Sequence, residues 1–302
     1  MCGIAGIVSR TNVETSTINN IKSKLSHRGP DNQGSISFAD CGVHLIHARL
    51  SVIDINDGAN QPMIDAEKKI AIVFNGEIYN YKEIRKQIWN QYHFRTSSDT
   101  EVIIAVYTIW GEDGFKKLQG MYSFCLIDRQ NKKLFLMRDR LGIKPLYISI
   151  SEDKLVFASE VKAVIAAIGK TPRINKKALA EYAHFGSALG GRSFYEGIES
   201  LAPGCILSLS LKADRNRVFI SQYLEPSVDS KKNLIETVPT YSEAVIETQR
   251  LFKLAIEKHL ISDVPVGIFL SGGIDSSAIA AFASKKNRKN KYLFRSLRLY
   301  GK

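Results

Sequence analysis

Long apolar runs are missing from the 302-residue chain. Nowhere do its apolar residues approach the ~18 in succession that a membrane-spanning helix needs, so no membrane partner is expected. Cysteine is scarce. Cys2, Cys41, Cys125 and Cys205 lie far apart without Cys-x-x-Cys spacing. That excludes a disulfide scaffold or a zinc ribbon and suits a reducing cytoplasm; no metal site is expected. The N-terminus has no basic segment leading into an apolar core, which speaks against a secretory signal. Acidic residues are absent from the C-terminal stretch, which is strongly basic. Residues 283–302 hold eight Lys or Arg and no Asp or Glu. The formal net charge of +12 is concentrated there, since residues 1–282 carry 34 basic against 30 acidic side chains. A nearly balanced body without a basic, aromatic-interleaved patch outside the tail argues against a nucleic-acid module.

What is present is an ordinary globular composition, 44% hydrophobic and 24% charged, long enough for about two domains. Residues 1–10 read as a short strand, followed by helical spacing to about Leu25. Val43–Arg49 and 69–74 are β-rich, and Asn75-Gly76 behind the latter reads as a sharp turn. Residues 81–91 and 100–110 have helical spacing, the second capped by Ser98 or Asp99. Residues 121–128 with Lys133–Arg138, and 146–150 with Lys154–Ala158, read as hairpins. Many strands and a few helices predict stacked sheets with helices outside. Residues 212–240 are polar and irregular, the best linker. A long amphipathic helix over 241–260, with Leu251, Leu254 and Ile256 on its apolar side, is followed by a buried-type strand at 266–270. That strand runs into Ser271-Gly272-Gly273-Ile274-Asp275-Ser276-Ser277 and a helix to about Ser284. Strand, glycine loop and helix in this order open a parallel α/β domain.

Cys2 is the sharpest chemical feature. Removal of Met1, permitted by a small second side chain, leaves one residue with both a thiol and a free α-amine. The amine can take the thiol proton directly or through water, so His27, His44 and His47 are not needed as bases. The alternative is a small apolar side chain in a strand. Asn75 and Gly76 can supply a side-chain amide and a backbone N–H to an oxyanion. Arg49 offers a fork for a carboxylate, while Glu77 and Asp99 offer acids for an ammonium. Singly these are surface charges or caps; together they suit a free α-amino acid.

Cys2-Gly3-Ile4-Ala5-Gly6, His27-Arg28-Gly29-Pro30-Asp31, Ala48-Arg49-Leu50-Ser51-Val52-Ile53-Asp54, Asn75-Gly76-Glu77-Ile78-Tyr79-Asn80, Ser98-Asp99-Thr100-Glu101 and the string from Arg138 to Tyr147 occur in an order that resembles one family. It is the glutaminase domain of glutamine-hydrolysing asparagine synthetases, a class II amidotransferase. The resemblance covers about residues 2–284. It implies an α+β fold, a four-layer αββα N-terminal-nucleophile hydrolase sandwich over residues 2–211. A linker over 212–240 and the start of an α/β ATP-pyrophosphatase domain over 241–302 would follow. It implies Cys2 as nucleophile, Asn75 and Gly76 as the oxyanion hole, and glutamine bound by Arg49, Asn75, Glu77, Asp99 and the backbone of Leu50, Val52 and Ile53. Arg28 and Asp31 would shape the site without reacting.

Ser271–Ser277 resembles the pyrophosphate loop of ATP pyrophosphatases. The likeness implies ATP with Mg2+ as a substrate, held by Ser271, Gly272, Gly273 and Ser276 and bordered by Leu270. Asp275 is either a magnesium contact or a helix cap. The expected reaction takes glutamine, ATP and aspartate to asparagine, glutamate, AMP and pyrophosphate in the cytoplasm; a homodimer is allowed. The basic run begins where the likeness fades and is read as a frameshift or premature stop, leaving glutamine hydrolysis as the retained half. A genuine short paralogue is the alternative. An acceptor such as a surface-polysaccharide sugar carboxylate, or a non-catalytic remnant, also stays open.

Overall fold

The computed structural model describes residues 1–212, 218–223, 239–286 and 293–296. They fall into two units, Met1–Ser51 with Asn56–Val228, and Val52–Ile55 with Asp229–Lys302. Among the described residues no helix is long and apolar enough to cross a membrane.

The first unit begins with β1 (Gly3–Ser9), α1 (Thr15–Leu25), β2 (Asn32–Phe38), β3 (Val43–Arg49), β4 (Met63–Ile64) and β5 (Ile70–Ile78). It continues with α2 (Tyr81–Gln87), α3 (Asp99–Trp110), β6 (Gly120–Asp128), β7 (Lys133–Arg138), β8 (Tyr147–Ile150) and β9 (Lys154–Ala158). Then come α4 (Val161–Ile168), α5 (Lys176–Phe185), β10 (Glu199–Ser200), β11 (Cys205–Ser210) and β12 (Val218–Gln222). Two six-stranded sheets result, in the orders β10-β8-β9-β1-β3-β2 and β12-β11-β7-β6-β5-β4, every pairing antiparallel.

The period of two explains the layers. In β1, Ile4 and Val8 point into a core shared with Val43 and Leu45 of β3, Ala71 and Val73 of β5 and Cys125 and Ile127 of β6, so this core lies between the sheets. The alternate residues Ala5, Ile7, Ile46 and Ala48 face outward and are covered by Ile21 and Leu25 of α1 and by Ala163, Val164 and Ala167 of α4. Over the outer face of the second sheet, Tyr107 of α3 sits 5.5 Å from the Phe135 ring, and Phe115 sits 5.4 Å from that of Phe124. Ser98 begins α3 by accepting from the Thr100 amide at 3.1 Å. The result is the expected four-layer αββα sandwich.

Two local expectations fail here. Asn75-Gly76 is not a turn: β5 runs straight through it, with Asn75 paired to Ser123 and Gly76 to Tyr122. Val218–Gln222, placed in the linker by its polarity, pairs with β11 as the edge of the second sheet, where exposure tolerates polar side chains.

The second unit contains α6 (Tyr241–His259), β13 (Gly267–Leu270), α7 (Ile274–Lys286) and β14 (Leu293–Ser296). Thr240 and Glu243 form a reciprocal capping box at the start of α6. The helix packs through Phe252, 5.4 Å edge-on to Phe282 of α7, and through buried Ile256; Leu251 and Leu254 are exposed, contrary to expectation. β13 pairs in parallel with β14. It was expected to be buried, yet Phe269 is 71% exposed. Among the described residues this sheet has two strands, and the face that carries Phe269 is left uncovered.

Candidate active site

The interlayer rows of the sandwich change character at one end. Along β1 the row Val8, Gly6, Ile4 leads to Cys2. Along β3, Val43 and Leu45 lead to His47 and Arg49; along β5, Ala71 and Val73 lead to Asn75 and Glu77. Gly3 pairs with Ala48, so Cys2 and Arg49 stand one step beyond that pair. Three strands thus deliver five polar side chains to the same end of the same interlayer space.

Cys2 is half-buried, and its sulfur is held by one residue. The thiol donates to the Leu50 carbonyl at 3.5 Å, and the Leu50 amide donates to Sγ at 3.4 Å. Burial pushes the thiol pKa up. The Leu50 amide and the Arg49 charge pull it back, while the Asp99 carboxylate pushes it further up. Arg28 Nε donates to the Cys2 carbonyl at 2.9 Å, and its NH1 bonds Glu160 at 3.0 Å. Asp31 accepts from the Ser51 amide at 2.7 Å. Both loop residues therefore brace the backbone on either side of the thiol. Met1 is 60% exposed, open to removal.

Asn75 is only 1% exposed, yet its Nδ2 has no hydrogen-bond partner among the described residues. A buried amide left without a partner is costly. Such a group in a strand that faces a thiol is a donor awaiting an acceptor. Gly76 supplies the second donor. Phe74 N and Ile78 N bond Gln61 Oε1 at 2.7 Å and Asp99 Oδ2 at 2.9 Å, on the edge away from β6. By the same period the Gly76 N–H points to that edge, between them. A Cβ at Gly76 would lie 2.2 Å from the Met121 carbonyl, so only glycine fits.

Arg49 is buried, and its NH1 donates to the Asn56 carbonyl at 3.0 Å and to Asn60 Oδ1 at 2.7 Å. One branch of the fork is therefore spent on orienting the guanidinium. Asp99 is buried in the first turn of α3. Burial raises its pKa to about 7, and Glu77 adds to the rise against the pull of the Ile78 amide. The mutual electrostatic influence of Cys2, Arg49, Asp99 and Glu77 places them in one field. Val52 and Ile53 group with the second unit, where the Val52 carbonyl accepts from Asp263 N at 3.0 Å and Ile53 is buried.

One charged residue was not singled out from the sequence. Lys144 is buried, and its ammonium feels the charges of Glu77 and Cys2, which offset part of the lowering that burial imposes on its pKa. It is presented by a loop that Asp139 organises. That carboxylate accepts from Tyr122, Leu141, Ile143 and Lys144 amides at 3.0–3.1 Å. His27 and His44 bond Glu160 and Ser37, and His47 bonds the Phe74 carbonyl, so none is arranged as a base toward the thiol.

The glutamine amidotransferase domain model matches residues 1–223. The chain belongs to the glutamine amidotransferase family. An asparagine synthase model matches residues 247–299 of this amidotransferase. Asparagine synthetase [glutamine-hydrolyzing] 3 of Bacillus subtilis is 35% identical over 291 residues, covering 94% of this chain and 45% of that protein. Amidase chry2 of Gibberella zeae is 30% identical over 298 residues, covering 94% of this chain and 43% of that one. The amidotransferase thus spans about half the length of the curated relatives it matches. The glutamine phosphoribosylpyrophosphate amidotransferase of B. subtilis shares the fold, with a TM-score of 0.54 at 18% identity over 98% of this chain and 65% of that one.

In the second unit, Gly272 has φ +86°, and Ser276 Oγ closes the loop onto Ser271 Oγ at 3.0 Å and the Gly273 carbonyl at 3.2 Å. Ser271, Gly272, Gly273 and Asp275 are exposed, and no atom would obstruct a Cβ at Gly272. Leu270 ends β13, and Asp275 stands in the first turn of α7. Within the loop the Ser271 amide donates to Ser276 Oγ at 3.3 Å.

Proposed function

We propose that the first unit hydrolyses the side-chain amide of glutamine at Cys2. The unpartnered Nδ2 of buried Asn75, in a strand row facing that of the thiol, is the observation that carries this reading. Removal of Met1 gives Cys2 its α-amine. The thiol proton moves to that amine while Sγ bonds the amide carbon, and negative charge develops on the amide oxygen between Asn75 Nδ2 and Gly76 N–H. The proton then passes to the nitrogen, the C–N bond breaks and ammonia leaves. Water resolves the γ-glutamyl thioester to glutamate. Arg49 holds the substrate carboxylate; Asp99 and Glu77 hold its ammonium.

Ammonia then serves an acceptor. With ATP and Mg2+ held at Leu270–Ser276, the side-chain carboxylate of aspartate would displace pyrophosphate from ATP, and ammonia would then displace AMP from the acyl-adenylate to give asparagine. Backbone amides of the Ser271–Gly273 turn meet the phosphates, while Asp275 either neighbours the cation or caps α7. The test is release of glutamate from glutamine by the purified chain, with mass spectrometry showing Met1 removed. Cys2→Ala should abolish release; equal activity in that variant overturns the proposal.

A further inference from the structure

We propose that Gln61 is a positioning residue that fixes the oxyanion-binding segment Asn75–Gly76 by tying the open edge of β5 to the first turn of α3. The inference rests on the assignment of Asn75 and Gly76 given above.

β4 pairs with β5 only through Met63–Ile72 and Ile64–Ala71. Beyond Ile72 the edge of β5 has no strand beside it among the described residues. Side chains replace the missing ladder. Gln61 Oε1 accepts from Phe74 N at 2.7 Å, and its Nε2 donates to Thr100 Oγ1 at 3.2 Å. Four residues along, Asp99 Oδ2 accepts from Ile78 N at 2.9 Å. Gly76 lies midway between these two fixed amides, with its N–H on the same edge. Thr100 directly follows Asp99, so one helix start anchors both clamps.

The back of Gln61 is pressed as well. A Cβ on Gly34 of β2 would lie 2.0 Å from the Gln61 carbonyl and 3.0 Å from Pro62 Cδ. The first sheet therefore supports the Gln61 backbone at a distance that only glycine permits. The side chain is buried and must accept at one end and donate at the other, which glutamine does without placing a charge there. Oxyanion donors act by being fixed before charge develops, and a loosening of ~1 Å can cost ~10²-fold in rate.

The test is a double-variant cycle on glutamine hydrolysis by the full chain, with Gln61→Met, Asn75→Ala and the two combined. Gln61→Met preserves volume but removes both hydrogen bonds. It should lower kcat by about 10-fold or more and leave KM within about 2-fold, because the oxyanion exists only after attack. The combined variant should lose more than Asn75→Ala alone but clearly less than the product of the two single losses, since part of the Gln61 effect runs through Asn75 and the rest through the Gly76 amide. Thr100→Val should move kcat the same way by less. Should Gln61→Met fail to fold in a thermal melt, Thr100→Val carries the same cycle. An unchanged kcat, or losses that multiply in the combined variant, would overturn the role of Gln61 while leaving that of Asn75 intact. A wild-type chain that releases no glutamate overturns the site assignment itself and the inference with it.

Discussion

His47 Nε2 donates to the Phe74 carbonyl at 3.1 Å, one residue before Asn75. A carbonyl only accepts, so the proton sits on Nε2. Nδ1 has no partner among the described residues. Burial lowers the imidazole pKa to about 3, and His47 stays neutral throughout the working range. It braces the strand that carries Asn75 and is not a proton carrier. His47→Gln, which keeps a donor at similar reach, should hold kcat within a few-fold, while His47→Ala should lower it by about 10-fold. The pH profile of kcat/KM should have the same limbs in wild type and His47→Gln. A limb that vanishes in the glutamine variant would make His47 a titrating participant.

Asn75→Ala should lower kcat for glutamine hydrolysis by roughly 10²–10³ with little change in KM, the usual loss for one oxyanion donor. Arg49→Lys should raise KM instead, because a point ammonium cannot both bond Asn56 and Asn60 and engage a carboxylate. Steady-state kinetics of the two variants side by side check the division of labour; a KM effect from Asn75→Ala with kcat intact contradicts it.

The carboxyl of Asp99, with a pKa of about 7, gives binding a pH dependence. The substrate ammonium needs the ionised form. kcat/KM in wild type should therefore fall about tenfold per pH unit below 7, and Asp99→Asn should lack this limb on a much lower plateau. Stability moves oppositely. The folded pKa lies above the unfolded value of ~3.9, so the cost of burying the charge is full above pH 7 and fades as pH falls toward 4. Asp99→Asn should melt higher than wild type at pH 8, with the gap closing by pH 4–5. A gap independent of pH would show that Asp99 does not titrate as its burial requires.

The 302-residue chain should bind ATP with Mg2+ weakly, if calorimetry detects it at all, and should form no asparagine from glutamine and aspartate. A phosphate loop needs neighbouring strands to hold its amides, and among the described residues the base has two strands and an exposed Phe269. Micromolar ATP binding by the chain would mean that the loop is held more firmly than these strands allow.

Much of the sandwich was legible because its signals are local. The β-rich run Val43–Arg49 matches β3 residue for residue, and the strings around Cys2, Arg49 and Asp99 lead to residues that act on one another's charge. Asn75-Gly76 reads as a turn in the sequence because that dipeptide favours the backbone angles of tight hairpins. Pairing with Tyr122 and the close approach of Met121 decided otherwise. Gln61, His47 and Lys144 stayed hidden because their roles arise from partners distant in sequence. Gln61 reaches Phe74 and Thr100, and nothing near it in the chain announces either. The exposure of Phe269 was equally invisible, since an apolar run specifies a need for cover but not whether cover is supplied.

The rows that end in Cys2, Arg49 and Asn75 tie chemistry to strand register. A slip of one residue in β1 turns Cys2 toward the α1 side of the sheet, and a slip in β5 turns Asn75 toward α3. A misregistered chain could retain its hydrogen-bond count and much of its helix and strand content while losing every reactive group at once. Glutaminase activity regained after refolding would therefore count correctly threaded molecules, where circular dichroism would count merely compact ones.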